Sequence, residues 1–158
     1  MGMDYDEAIR ATEDGLEYID LFDDPFLLVV PRDDPLADEE RIGLAELRGR
    51  RILGGPPWAS DLRERCRSCG FEPRFDLSYR TTDFNAFQGL VAAGLGITLV
   101  PRLVCGSIRD DVVALPLDRG PVRRVKLALR EEGYRSPASA AMQMILEEAA
   151  GALAASNA

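Results

Sequence analysis

Thr81-Thr82-Asp83 sets two hydroxyls and a carboxylate at the start of a helical apolar stripe. A helix start exposes unpaired N–H groups and a partial positive charge, which suit a carboxylate or sulfate ligand. The threonine hydroxyls would add donors. Asp83 weighs against a strongly anionic ligand, because its own carboxylate already occupies the positive end. The competing assignment is local: Thr82 caps the helix and nothing binds. A second candidate is Gly55-Pro56-Pro57-Trp58-Ala59-Ser60, which also precedes a helix. Trp58, the single tryptophan, either stacks on a ligand or closes an apolar edge, and Ser60 brings a hydroxyl beside it. The expected ligand-binding set is Trp58, Ser60, Thr81, Thr82 and Asp83.

Other constellations lead away from catalysis. Cys66-x-x-Cys69 resembles a metal or redox pair in spacing only. Zinc wants four ligands, and the chain adds only Cys105 and no histidine. A redox pair gains from sitting at a helix N-terminus, and this one falls at a C-terminal end; both residues read as packing. Gly94-Leu95-Gly96 follows a helix and precedes a strand, the reverse of a dinucleotide loop, and reads as a helix stop. Without histidine there is no Ser/His/Asp or Cys/His machinery. The pairs Asp23-Asp24 and Asp33-Asp34 flank prolines and read as solvated turns. No catalytic residue, metal or cofactor is expected, and the chain reads as a non-enzyme.

The elements that must hold these residues alternate between strand and helix. Leu16–Phe22 reads as a strand and Asp23-Asp24-Pro25 as a turn. Phe26–Val30 is a continuous apolar run stopped by Pro31, the pattern of a strand buried on both faces. Leu44–Leu47 is a helical turn closed by Gly49, and Arg51–Leu53 a short strand. Ser60 or Asp61 caps a helix in which Leu62, Cys66 and Cys69 share a face, with Gly70 ending it. A strand lies within Pro73–Tyr79. The next helix carries Phe84, Phe87, Val91 and Leu95 at helical spacing. Ile97–Val100, Val112–Leu117 and Val122–Leu129 are strands. Ser136-Pro137 starts a final helix with a cap and a first-turn proline; Ala138, Ala141, Met142, Ile145, Leu146, Ala149 and Leu153 line one side of it. The class is α/β, with helices covering sheets.

Charge excludes a nucleic-acid face. The net charge is −8, and residues 1–24 supply all of it, with nine acids against Arg10. Acids and bases elsewhere cancel. DNA binding needs a basic surface to displace counterions. The densest basic stretch, Arg119, Arg123, Arg124 and Lys126, is short and reads as a solvated face. No run of about 18 apolar residues exists to cross a membrane. MGMDYDEAIR has neither the basic start nor the apolar core of a signal peptide. Three cysteines at low density fit a reduced, cytoplasmic setting.

Three segments together resemble the effector-binding domain of LysR-type transcriptional regulators. The first is Leu21-Phe22-Asp23-Asp24-Pro25-Phe26-Leu27-Leu28-Val29-Val30-Pro31 followed by Asp34-Pro35-Leu36-Ala37, with Asp34 where that family commonly has histidine. The second and most specific is Gly89-Leu90-Val91-Ala92-Ala93-Gly94-Leu95-Gly96-Ile97-Thr98-Leu99-Val100-Pro101. The third joins Val113-Ala114-Leu115-Pro116-Leu117, Val125–Arg130 and Ser136-Pro137-Ala138. The resemblance runs over residues 15–150 or so.

It implies a type II periplasmic-binding-protein-like fold, with two α/β lobes sharing a cleft. On that reading residues 26–102 form a complete second lobe. Residues 1–25 and 103–155 form a partial first lobe, since the family's domain runs to roughly 200 residues. The implied function is sensing: a small-molecule effector, a carboxylate among the candidates, enters the interlobe cleft and modulates transcription. DNA would be contacted only through a domain that this chain does not contain. The loops holding Trp58–Ser60 and Thr81–Asp83 are where such domains commonly touch effectors. A lobe lacking strands would expose edges and apolar surface, so self-association to a dimer or higher is expected. The competing readings are a solute-binding protein, or a non-catalytic relative of dehydratases of the same fold.

Overall fold

The computed structural model describes residues 15–54, 58–79, 81, 83–130 and 136–156. The Phe26–Val30 run becomes the end of one long strand, β1 (Leu16–Pro31). It is followed by β2 (Arg51–Leu53), α1 (Ala59–Ser68), β3 (Arg74–Asp76), α2 (Phe84–Ala92), β4 (Thr98–Pro101), β5 (Val112–Pro116), β6 (Val122–Arg130) and α3 (Pro137–Ser156). Short 3-10 turns occupy Leu44–Leu47 and Arg102–Ser107. The alternation predicted from the sequence is present. None of the described helices is long and apolar enough to cross a membrane.

The chain divides into two compact units, one of Asp24–Arg123 and one of Met1–Asp23 with Arg124–Ala158. The larger unit is built on β1. Its C-terminal half pairs antiparallel with β4 on one side, Leu28 opposite Leu99, and with β5 on the other, Leu28 opposite Leu115. As a compact body the larger unit takes in β5, whose ladder with β1 buries Val112 and Leu115.

Period-2 alternation sends β1 side chains to two cores. Phe26, Leu28 and Val30 face a cluster with Ile42, Leu47, Ile52, Trp58, Leu62 and Cys66. Val29 faces a second cluster with Leu53, Phe87, Val91, Val100 and Val112. The run is apolar throughout because neither face meets water.

β2 and β3 pair in parallel, Ile52 opposite Phe75. β2 also joins the start of β4 through Leu53 N–H to the Ile97 carbonyl at 2.7 Å and Ile97 N–H to the Arg51 carbonyl at 2.9 Å. α2 ends in a Schellman arrangement. Gly94 has φ +73°, its N–H reaches the Val91 carbonyl at 2.8 Å, and Leu95 N–H reaches Leu90 at 3.1 Å. Gly94-Leu95-Gly96 is a helix stop, as the sequence predicts.

Several local expectations give way. Asp23-Asp24-Pro25 is not a turn, since β1 runs straight through it. Asp24 is not solvated: it is 1% exposed, accepts Leu103 N–H at 3.0 Å, and pairs with Arg123 at 2.8 Å. Those partners, far away in sequence, satisfy a carboxylate that local pattern sends to water. The basic stretch is accordingly not a free solvated face, for Lys126 also meets Asp20 at 3.2 Å. Asp34 pairs with Arg50 and accepts Leu36 N–H at 3.0 Å. Neither Ser60 nor Asp61 caps α1; the cap position is Trp58, with no side-chain bond to it.

In the smaller unit, β6 pairs with β1. Ser136 caps α3 as expected, its hydroxyl accepting Ser139 N–H at 3.2 Å. The apolar side of α3 is not core among the described residues: Met142, Ile145, Leu146 and Leu153 are exposed and Ala150 is buried. An apolar stripe becomes core only where another apolar surface lies against it.

Candidate functional site

The ends of β2 and β3 bring the two predicted loops to one edge. In parallel α/β sheets, ligands bind beyond the carboxyl ends of the strands, where the connecting loops turn into helices. Here β2 leads to α1 and β3 leads to α2. Gly54, just past β2, donates its N–H to the Asp76 carbonyl at the end of β3 at 3.2 Å. Gly54 has φ +83°, and a Cβ there would lie 2.8 Å from the Phe87 ring of α2. Thr98, fully buried, donates its hydroxyl to the Leu53 carbonyl at 2.9 Å. These contacts fix β2, β3 and α2 to one another, so both loops start from rigid supports.

The loop after β3 is held by its own polar groups. Asp76 accepts Ser78 N–H at 3.0 Å. Hydrogen bonds from Ser78, with help from the Arg51 charge, hold the Asp76 carboxyl below the ordinary carboxylate range. The Thr81 hydroxyl accepts Asp83 N–H at 3.0 Å, and the Asp83 carboxylate accepts Asn85 N–H at 2.8 Å. The cap of α2 is therefore Asp83 and not Thr82. Both lie in the same tripeptide, and a helix opening at Phe84 makes Asp83 the flanking residue. Thr82 itself, like Gly55-Pro56-Pro57, lies outside the described residues.

Trp58 is buried, 6.1 Å centre to centre from both Phe26 and Phe75. Of its two sequence readings, closing the apolar core is the one this packing supports. Ser60 is exposed in the first turn of α1. Among the described residues Trp58, the cap residue of α1, makes no side-chain bond to that helix start, whereas Asp83 makes one at α2. Gly54, Asp76, Ser78 and Thr98 were missed by sequence reading. The glycine that ends β2 was the one available signal.

The thiols are free and sit apart from this edge. Cys66 is buried in the core, and burial, then the neighbouring Cys69 and Glu72, push its thiol up to about 11. Burial raises Cys105 as well, with Asp24 adding to it. Cys69 stands at the C-cap of α1. Among the described residues no three potential metal ligands come together. Alkylation of the folded protein at pH 8 is expected to leave Cys66 unmodified until denaturant is added; rapid labelling in the native state, read by peptide mass, would contradict this. Because folding keeps Cys66 neutral to higher pH than unfolding does, its effect is loss of stability between about 9 and about 11, with none below that window.

Comparison with known proteins adds family to geometry. The LysR substrate binding domain family matches residues 5–151. The hydrogen peroxide-inducible genes activator of Dickeya chrysanthemi is 33% identical over 118 residues, covering 71% of this chain and 38% of that protein. The DNA-binding transcriptional dual regulator OxyR of Escherichia coli K12 is 35% identical over 113 residues, covering 67% of the chain and 36% of that protein. The chain thus spans under two fifths of these relatives. Among solved structures, the Synechocystis PCC6803 CcmR regulatory domain in complex with 2-PG superposes with TM-score 0.70 at 21% identity. That likeness covers 88% of this chain and 69% of the other, and shows a shared fold, of the type II periplasmic-binding-protein kind.

Proposed function

The chain belongs to the LysR substrate-binding domain family, and on that premise we propose that it is the effector-sensing part of a transcriptional regulator, reading a small metabolite at the loops that follow β2 and β3. The observation that supports this is the Gly54–Asp76 junction, a 3.2 Å hydrogen bond that joins the carboxyl ends of β2 and β3, from which both loops depart. Ser60, Thr81, Thr82 and Asp83 supply the polar groups of the site, and Trp58 packs behind it. The start of α1, where Trp58 makes no cap bond and the first-turn Asp61 is tied to Arg65 at 2.7 Å, is the better seat for a ligand carboxylate. Asp83 at α2 favours a hydroxyl or amine from the same ligand. Binding shifts the balance between conformations, and the parent regulator would pass that shift to its DNA-binding part. The parent works in the cytoplasm and carries out no catalysis.

A thermal-shift screen of small carboxylates and hydroxy acids against the intact chain tests this reading. A true effector is expected to raise the midpoint, and Ser60→Ala with Thr81→Val to remove the rise. Silence across a broad metabolite panel would sink it. The name of the Dickeya chrysanthemi relative, a hydrogen peroxide-inducible genes activator, raises a response to peroxide as a rival, for which this chain would have to use its cysteines. The thiolate is the group that attacks peroxide, and the burial that keeps Cys66 a neutral thiol favours the metabolite reading.

We also expect self-association through α3, whose Met142, Met144 and Ile145 are more than half exposed. Light scattering on a size-exclusion column should report a dimer or larger species. Ile145→Lys should shift it toward monomer. A monomer at high concentration in the parent sequence would defeat the idea.

A further inference from the structure

Strand register sets Arg51 of β2 directly opposite Arg74 of β3. Paired residues project to the same face of a ladder, and like charges opposite one another destabilise it. Several other arginines of the larger unit meet carboxylates, although Arg48 and Arg119 instead reach the Phe71 ring and the Cys69 sulfur. Arg41 meets Asp118 at 2.9 Å, Arg65 meets Asp61 at 2.7 Å, and Arg109 meets Asp111 at 2.6 Å. Among the described residues Arg51 and Arg74 form no ion pair. Arg74 reaches only the Gly49 carbonyl, at 3.5 Å.

The two arginines border an open groove of about 540 Å³, completed by Phe75, Asp76, Leu77 and Ser78. β3 pairs with β2 alone, so its outer edge is uncovered among the described strands. Leu77 is 59% exposed there. The groove therefore has a cationic end, an apolar wall, and one carboxylate whose oxygen is already engaged by Ser78.

We propose that Arg51 and Arg74 form a second binding site, for a small organic oxyanion whose apolar body lies along Phe75 and Leu77. Two guanidinium forks can hold a carboxylate or phosphate by charge-assisted bonds, and the bound anion cancels the repulsion between them. Asp76 sets the orientation. The anionic head sits at the arginine end, and the remainder of the ligand runs past Asp76 toward Leu77. The cations of this site stand at the amino ends of β2 and β3, away from the helix starts assigned to the effector, while its far wall, Asp76–Ser78, opens the loop that follows β3.

Titration of the intact, isotope-labelled chain with sodium phosphate and with sodium benzoate tests it, with sodium chloride holding ionic strength constant. The Nε–H signals of Arg51 and Arg74 are expected to move saturably with both probes. The Leu77 amide should respond more to benzoate. Arg51→Gln and Arg74→Gln should each weaken binding by about tenfold, the loss of one charge-assisted contact. Arg51→Lys should retain part of the affinity, and Arg41→Gln, on another exposed arginine, should change nothing. Unaltered core amide signals would certify that each variant is folded. Non-saturating shifts equal to those from chloride would overturn the proposal. So would saturable binding that persists in both glutamine variants, or shifts confined to residues 83–85.

Discussion

Asp24→Ala is expected to destabilise the larger unit by about 2–4 kcal/mol, among the largest effects of any single polar substitution in this chain. The carboxylate is 1% exposed, and its two oxygens serve three donors. One accepts Leu103 N–H at 3.0 Å; the other takes the Arg123 guanidinium through Nε at 2.9 Å and a terminal nitrogen at 2.8 Å. Alanine leaves the part-buried Leu103 N–H without its acceptor and a partly exposed guanidinium without its counter-charge. Arg123 retains some access to water, which places the cost below that of a wholly buried pair. Asp24→Asn should cost less, because the amide oxygen can still accept from Leu103. Urea unfolding checks both: a lower midpoint at constant slope is expected, with alanine the more severe. A midpoint for Asp24→Ala within about 0.5 kcal/mol of the parent, the scatter of ordinary surface changes, would refute the account.

Gly96→Ala should cost a similar amount, about 2–4 kcal/mol, while Gly94→Ala two residues away costs about 1 kcal/mol. The two glycines are needed for different reasons. Gly94 has φ +73° and open space where a Cβ would go, so alanine meets only the left-handed backbone penalty. At Gly96 a Cβ would stand 2.6 Å from the Arg51 carbonyl oxygen and 3.0 Å from the Leu53 side chain. Neither a backbone carbonyl in a ladder nor a buried leucine can give way cheaply. The added methyl must push β2 from the start of β4 and strain the Leu53–Ile97 and Ile97–Arg51 hydrogen bonds. Hydrogen exchange should therefore quicken at the Leu53 and Ile97 amides in Gly96→Ala and stay unchanged in Gly94→Ala. Equal effects at both positions would show that close approach is not what Gly96 provides.

How far the site could be read from sequence follows from the range of each interaction. The helix start at residues 81–83 was legible, because hydroxyl and carboxylate side chains before an apolar stripe are a local signal. Which of them caps the helix was not, since Thr82 and Asp83 are chemically near-equal there. Only a helix opening at Phe84 makes Asp83 the cap. Trp58 had two readings of similar standing, and Phe26 and Phe75, distant in sequence, weight one of them.

By itself the sequence determined what depends on near neighbours. The apolar run at 26–30 required a strand shielded on both sides. Gly94 had to stop a helix. A CxxC at a helix end with no histidine in the chain left the cysteines to packing. The motifs at 21–37 and 89–101 carried the family. Tertiary structure decided what depends on partners many residues away. Asp24 became a buried ionic centre because Leu103 and Arg123 converge on it. Gly96 became a point of contact because Arg51 passes beneath it. Arg51 and Arg74 became neighbours because β2 and β3 pair in register. Local periodicity records which way a side chain points, and only the packed chain supplies what it meets there.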